Sequence, residues 1–262
     1  MNALPARGSL TWTDGPQRTT LEMIVFASVR LTVIALAVVA ILAAAPVSAL
    51  AADAGSRGPS VGARPVTGPW TGSVSIWRSS AFASQATTSW CTAAATQMML
   101  NLVLDRSRTS ATEQQAIITY EQANDSLAVS KGSDPQGWAA AMRHFGTSRT
   151  STYHWERHGS YAAALRAAAY DLRMTGKPVG LLVLNGKHAN VLVGFTATSD
   201  PALGGNFTVT SAQIVGPWYP RPNVDPAPGT WLSSASLASR FTRYAERDGL
   251  ADWVGYWVIV TP

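Results

Sequence analysis

A single cysteine, Cys91, stands in a chain of 262 residues. No intramolecular disulfide framework can form, so the fold must rest on its core. Charged residues make up only 13% of the chain, and no run of Lys and Arg occurs among them. The formal net charge is +5, but it is scattered, and scattered charge makes no stripe for DNA or RNA. A nucleic-acid partner is therefore not expected. Arginine greatly outnumbers lysine, which reflects genome composition more than function. There is no internal repeat, which excludes solenoids and propellers. Histidine is scarce as well. His154 and His158, in "HWERH", have metal-ligand spacing only if that stretch is helical, and no third ligand has convincing spacing. A solvated polar stretch is expected there, with neither a metal nor another cofactor.

The long apolar run lies near the N-terminus. Residues 31–52, "LTVIALAVVAILAAAPVSALAA", carry no charge, follow Arg30 and end in small residues. Ala49-Leu50-Ala51 fits a signal peptidase site, and Pro46 with the Ala-rich tail favours a cleaved signal over a membrane anchor. The first 22 residues fit a signal poorly, whereas Met23 would open a conventional n-region, so either Met1 or Met23 can be the start. Residues 1–51 are read as tail and targeting segment and 52–70 as a flexible Gly/Pro/Ser-rich linker. Residues 71–262 form one domain with a core of ordinary size. The expected address is secreted, or the cell surface if the signal stays. Membrane contact would then come only through that uncleaved segment.

Within the domain, helices precede strands. Helices are expected at 89–104 (capped by Ser89), 111–124, from Asp134-Pro135 to Gly146, and 160–175 before Gly176. Strands are expected at 74–78, 179–184, 188–197, in "FTVTSAQIV" and in "WVGYWVIVT". Asn185-Gly186 marks a turn between two of them. "RFTRYAER" reads as a basic amphipathic helix packed on the sheet. Of the ten tryptophans, most are expected in the core and some at a cleft. The fold class is α+β with a mostly antiparallel sheet.

The lone thiol falls at a chemically useful place. Cys91 lies in the first turn of an apolar helix, where the positive end of the helix favours a thiolate and free N–H groups can meet an oxyanion. Gln85, six residues upstream, can add a side-chain donor to the same spot. His188 opens the strand "HANVLVGF" and would be held by rigid scaffold as general base. Taken singly, each of these has a plainer explanation: a buried core thiol, a satisfied polar residue, a surface amide. Their order along the chain is what points to acyl transfer.

In that order the chain resembles the papain-superfamily cysteine peptidases, and within them the bacteriocin-processing, double-glycine-type peptidases and their secreted peptidase-like relatives. The matching pieces are "QATTSWCTAAATQMML", "TGKPVGLLVLNGKHANVLVGF" and "AQIVGPWYPR". The resemblance implies a papain-like fold and a thiol hydrolase that cleaves peptide or amide bonds through an acyl-enzyme. Cys91 would be its nucleophile, His188 its general base and acid, and Gln85 an oxyanion-hole donor. The substrate would be a peptide or protein, including cell-wall peptide. The family usually has Gly after the cysteine, where this chain has Thr92. It also places an Asp before a Pro after the histidine strand, where this chain has Gly216-Pro217. A carboxylate introduced at position 216 is expected to reach the imidazole. Asp200 lies at the wrong end of the hairpin. Asp225, Asn190 and a backbone carbonyl stay open as groups that orient His188. Two other functions remain: a papain-fold binding module without catalysis, and a cell-wall amidase or transglutaminase-like acyl transferase.

Overall fold

The computed structural model describes residues 69–127, 131–221, 224–245 and 252–262. The targeting segment expected at 1–51 and nearly all of the linker expected at 52–70 lie outside the described residues. Among the described residues, no helix is long and apolar enough to cross a membrane.

The fold is α+β; the described residues form five α-helices and one antiparallel sheet of seven strands. The strands are β1 (Ser73–Ser75), β2 (His154–His158), β3 (Val179–Val183), β4 (His188–Ala197), β5 (Val209–Val215), β6 (Thr230–Ser233) and β7 (Trp257–Thr261). The helices are α1 (Cys91–Leu104), α2 (Ala111–Ala123), α3 (Pro135–Phe145), α4 (Tyr161–Thr175) and α5 (Ser234–Ala238). The order across the sheet is β2-β7-β3-β4-β5-β6, and β1 pairs with the outer half of β4 beyond the end of β3. β4 is thus central and buried on both faces, which explains its nearly unbroken apolar run.

Most boundaries follow local chemistry. Ser110, Asp134 and Ser160 cap α2, α3 and α4 by accepting backbone N–H bonds, and Pro135 occupies the first turn of α3. Gly176 ends α4 in the left-handed conformation. Gly180 on β3 lets the Trp138 ring of α3 lie against the sheet: a β-carbon there would sit 2.5 Å from that ring. The start of α1 differs from expectation. Trp90, not Ser89, is the N-cap residue, and no side chain caps it, so Cys91 is the first helical residue with its turn of N–H groups uncapped. "HWERH" is an edge strand paired with β7 rather than a loop or helix, and His154, Glu156 and His158 fall on one face. Glu156 bridges both imidazoles, at 3.0 and 3.3 Å. The described part of "RFTRYAER" is not helical; residues 241–245 run as a bend and coil. β6 and α5 are short elements that sequence periodicity does not reveal.

Two cores sandwich the sheet. α4 covers one face around Leu172, Leu181, Leu192, Phe195 and Ile214, and α1 with α3 covers the other around Met98, Met99, Trp138, Val191 and Val215. α1 is buried almost all round, so its polar residues must find internal partners. Thr92 and Thr96 donate to the two carboxyl oxygens of Glu121 at 2.6 and 2.8 Å. Gln97 reaches Glu113 and Gln114 on α2, and Asn101 holds the backbone of Ala81 and Arg108. Thr92, the residue after Cys91, therefore fastens the start of α1 to α2.

Burial pushes the Glu121 carboxyl up to about 8, against the lowering effect of the two threonine hydroxyls. The folded chain keeps that proton while the unfolded chain, with an ordinary value of 4.5, gives it up. Stability is accordingly lost as pH rises from the ordinary carboxyl value through about 8. Glu121→Gln mimics the protonated form. It should raise the melting temperature by roughly 5 °C or more at about pH 8 and change it little at about pH 4. Equal melting temperatures at both pH values would refute this account of α1.

Candidate active site

The site forms where the start of α1, the start of β4 and the loop after β5 come together. Cys91 is half-buried, a free thiol at the first position of α1. His188 is the first residue of β4, pairs with Val183 across the turn from β3 and is 1% exposed. That turn uses Leu184, Asn185 and Gly186 in positive-φ conformations. It is held against the segment after α5 by Leu184 N–H to the Arg240 carbonyl at 2.8 Å and Asn185 N–H to Thr242 Oγ1 at 2.9 Å.

His188 Nε2 donates to Asp225 Oδ2 at 2.8 Å; the carboxylate can only accept, so the proton on Nε2 is fixed. Nδ1 is buried without a well-aligned hydrogen bond, and Cys91 is the second group that acts on the ring. Burial lowers the imidazole pKa, but Asp225 and Cys91 outweigh it and raise it to about 9. The ring also lies 5.5 Å from that of Trp218.

The Asp225 side chain is fully buried, and its carboxylate is saturated. Oδ2 accepts from His188 and from the Trp218 N–H at 2.8 Å; Oδ1 accepts from Asn190 Nδ2 at 3.0 Å and from Arg240 Nη2 at 2.7 Å. Burial raises its pKa, yet His188 foremost, with Asn190 and the Trp218 N–H, pulls it below the usual carboxylate value. Gly216, at the end of β5, faces this carboxylate so closely that a β-carbon there would lie 2.0 Å from Asp225 Cγ. The place beside His188 is filled from the loop, not from the strand end.

The other expected residues divide. Gln85 is tied to the same wall, its N–H donating to the Pro217 carbonyl at 2.7 Å. Its side-chain Nε2, however, donates to the Thr87 carbonyl at 2.6 Å, and no hydrogen bond joins it to Cys91 or His188. Asp200 pairs with Arg173 at 2.9 Å at the far end of the hairpin, away from His188 as expected. Asn190 shares the His188 face and grips the carboxylate rather than the imidazole. Arg240 escaped sequence reading, because "RFTRYAER" carries no signal that singles out one of its arginines. Two cavities, of about 230 and 740 Å³, are lined by other residues and include none of Cys91, His188 or Asp225.

Chemically, the cluster can hold a proton on His188 beside a thiol at a helix start, with a fixed carboxylate behind the ring. No family model, curated protein or solved structure matches the chain.

Proposed function

We propose that the protein is a thiol hydrolase of papain-like type, cleaving peptide or amide bonds through an acyl-enzyme on Cys91. The observation that carries this is the buried contact of His188 Nε2 with Asp225 at 2.8 Å on a ring whose other influential neighbour is Cys91. In the reaction, the Cys91 sulfur attacks the scissile carbonyl as His188 holds the thiol proton as an imidazolium. Backbone N–H groups in the uncapped first turn of α1 stabilise the oxyanion, and His188 then protonates the leaving amine. Water attacks the thioester in the second half, with His188 as its base, and Cys91 is freed. Asp225 orients the ring and stabilises its charged form throughout. In keeping with its targeting segment, the protein acts after export, on a peptide, protein or cell-wall peptide.

Alkylation tests the first requirement. Iodoacetamide should modify Cys91 at about pH 5, where an ordinary thiol is protonated, and His188→Ala should remove that reactivity. A Cys91 that reacts only above about pH 8 in the wild-type chain would leave a binding module in place of an enzyme. Product analysis then separates free peptide ends from released wall fragments or isopeptide cross-links.

A further inference from the structure

We infer that Arg240 is a positioning residue of this site, holding Asp225 as an ionised and fixed acceptor for His188. This deepens the thiol-hydrolase proposal and rests on it. The reason lies in the division of the carboxylate. Oδ2 serves His188 and the Trp218 N–H, while Oδ1 serves Asn190 and Arg240, so the guanidinium acts on Asp225 without competing for the imidazole. Arg240 Nη2 also lies 3.3 Å from Asn190 Oδ1, which locks the amide that shares the carboxylate.

Charge makes the contact necessary. Burial drives a carboxylate with no exposed surface towards its protonated form; neutral donors oppose this, and a facing cation opposes it most strongly. His188 supplies that cation only while the ring is protonated. In the half of the cycle where His188 has passed its proton to the leaving group, the ring is neutral and Asp225 would face it without a counter-charge. A protonated Asp225 could no longer be relied on as the acceptor of Nε2–H, and the ring would lose its orientation. Arg240 is the permanent cation that prevents this. It is 19% exposed, and its backbone carbonyl accepts from Leu184 N–H in the turn before His188, so the guanidinium and the imidazole share one rigid support.

The charged and titratable groups around Asp225 come from each element packed there. His188 comes from β4, Arg240 from the segment after α5, and Cys91 from α1 through the ring. On its own loop, Arg221 is turned over the Trp218 ring, 5.6 Å from its centroid. Asn190 and the Trp218 N–H are neutral donors. Arg240 is therefore the cation on Asp225 that does not titrate with the reaction.

The experiment is the rate of Cys91 alkylation between about pH 4 and about pH 10 in the wild-type chain, Arg240→Gln and Arg240→Lys. Arg240→Gln keeps a donor and loses the charge; Arg240→Lys keeps the charge. Arg240→Gln should move the acid limb of the profile up by about one pH unit, a rate about tenfold lower on that limb. Arg240→Lys should stay within about threefold of wild type. Two wild-type profiles, or two equal shifts, overturn the charge role of Arg240 while leaving the thiol hydrolase intact. A wild-type chain with no acid-side reactivity overturns the hydrolase itself. A measurement on the unaltered chain covers a variant that does not fold. In NMR, the Arg240 guanidinium nitrogen shifts should respond as the Asp225 carboxyl carbon titrates, and Asp225 titrating without a response from Arg240 also overturns the inference.

Discussion

Asp225→Asn should cost about a hundredfold in alkylation rate at mildly acidic pH and in turnover of any substrate found. It should also move the alkaline limb of activity down from about 9 towards the ordinary histidine value of 6.5. The sign follows from the contacts. His188 is held as imidazolium chiefly by Asp225 and Cys91, against burial, which favours the neutral ring. Replacing the carboxylate by an amide removes the charge and offers the Nε2–H a weaker acceptor. The ring then loses its proton at lower pH, and with it the charge that favours a thiolate. Stability changes in the same window. A histidine whose folded value is raised stabilises the fold fully below its unfolded value of 6.5, and that contribution is lost as pH rises through about 9. Asp225→Asn should therefore lower the melting temperature more at about pH 6 than at about pH 10, on top of a pH-independent loss from leaving Arg240 without its counter-charge. An unchanged alkaline limb would mean that Asp225 does not set the ionisation of His188.

What the sequence shows of this site, and what it hides, follows from the range of the interactions. Cys91 and His188 are legible because each stands at an element boundary with a strong local signature: an Ala- and Met-rich helix, and an apolar strand that fills both faces of the sheet. Caps such as Ser110, Asp134 and Ser160 are legible for the same reason, since cap and capped N–H lie within three residues. The acid behind the ring is legible only as one candidate among several: Asp225 is open in the sequence beside Asn190 and a backbone carbonyl, and the structure pairs it with His188. Asp225 is 37 residues from His188, and Arg240 is 15 residues further on from Asp225. Their meeting depends on the turn after Pro217, where Val224 and Asp225 fold back on the Arg221 carbonyl. Nothing periodic announces that turn. β2 is hidden for a related reason: alternation in "HWERH" sets three polar side chains on one face, and Glu156 lies between both imidazoles where an apolar strand face would be expected. Trp90 at the start of α1 escapes because a helix N-terminus left uncapped by any side chain departs from the usual preference for Ser89-like residues. In the proposed thiol hydrolase, such free N–H groups would be the ones that meet the developing oxyanion.

Gly216→Asp by itself should abolish acid-side thiol reactivity, whereas Gly216→Asp combined with Asp225→Ala should restore much of it. From the resemblance alone, the single substitution promises a gain, because it returns an acid to the place where an Asp is expected. The structure reverses that sign. A β-carbon at position 216 would fall 2.0 Å from Asp225 Cγ and 2.3 Å from each carboxyl oxygen. No two unbonded atoms tolerate that approach, and Asp225 cannot swing aside without abandoning four donors. The same distances show why the double change should work. A C–C bond is about 1.5 Å long, so a carboxyl carbon carried by residue 216 and directed at His188 would enter the place that Asp225 Cγ now fills, roughly half an ångström or more from its centre. Two chain positions, one at the strand end and one on the loop, thus compete for a single carboxylate place beside His188. This chain leaves position 216 bare so that residue 225 can fill it. Gly216→Ala serves as the steric control: it adds bulk without charge, should cost about 1–3 kcal/mol of stability, and should silence the thiol at acid pH. Rescue is read as a double-mutant cycle, with each single change losing reactivity and the pair regaining it, a coupling that independent sites do not show. Should the pair be as dead as Asp225→Ala alone, with both chains folded, the carboxylate must enter from the loop for a reason other than its position. Should Gly216→Asp alone gain reactivity, Asp225 is not fixed where the four donors hold it.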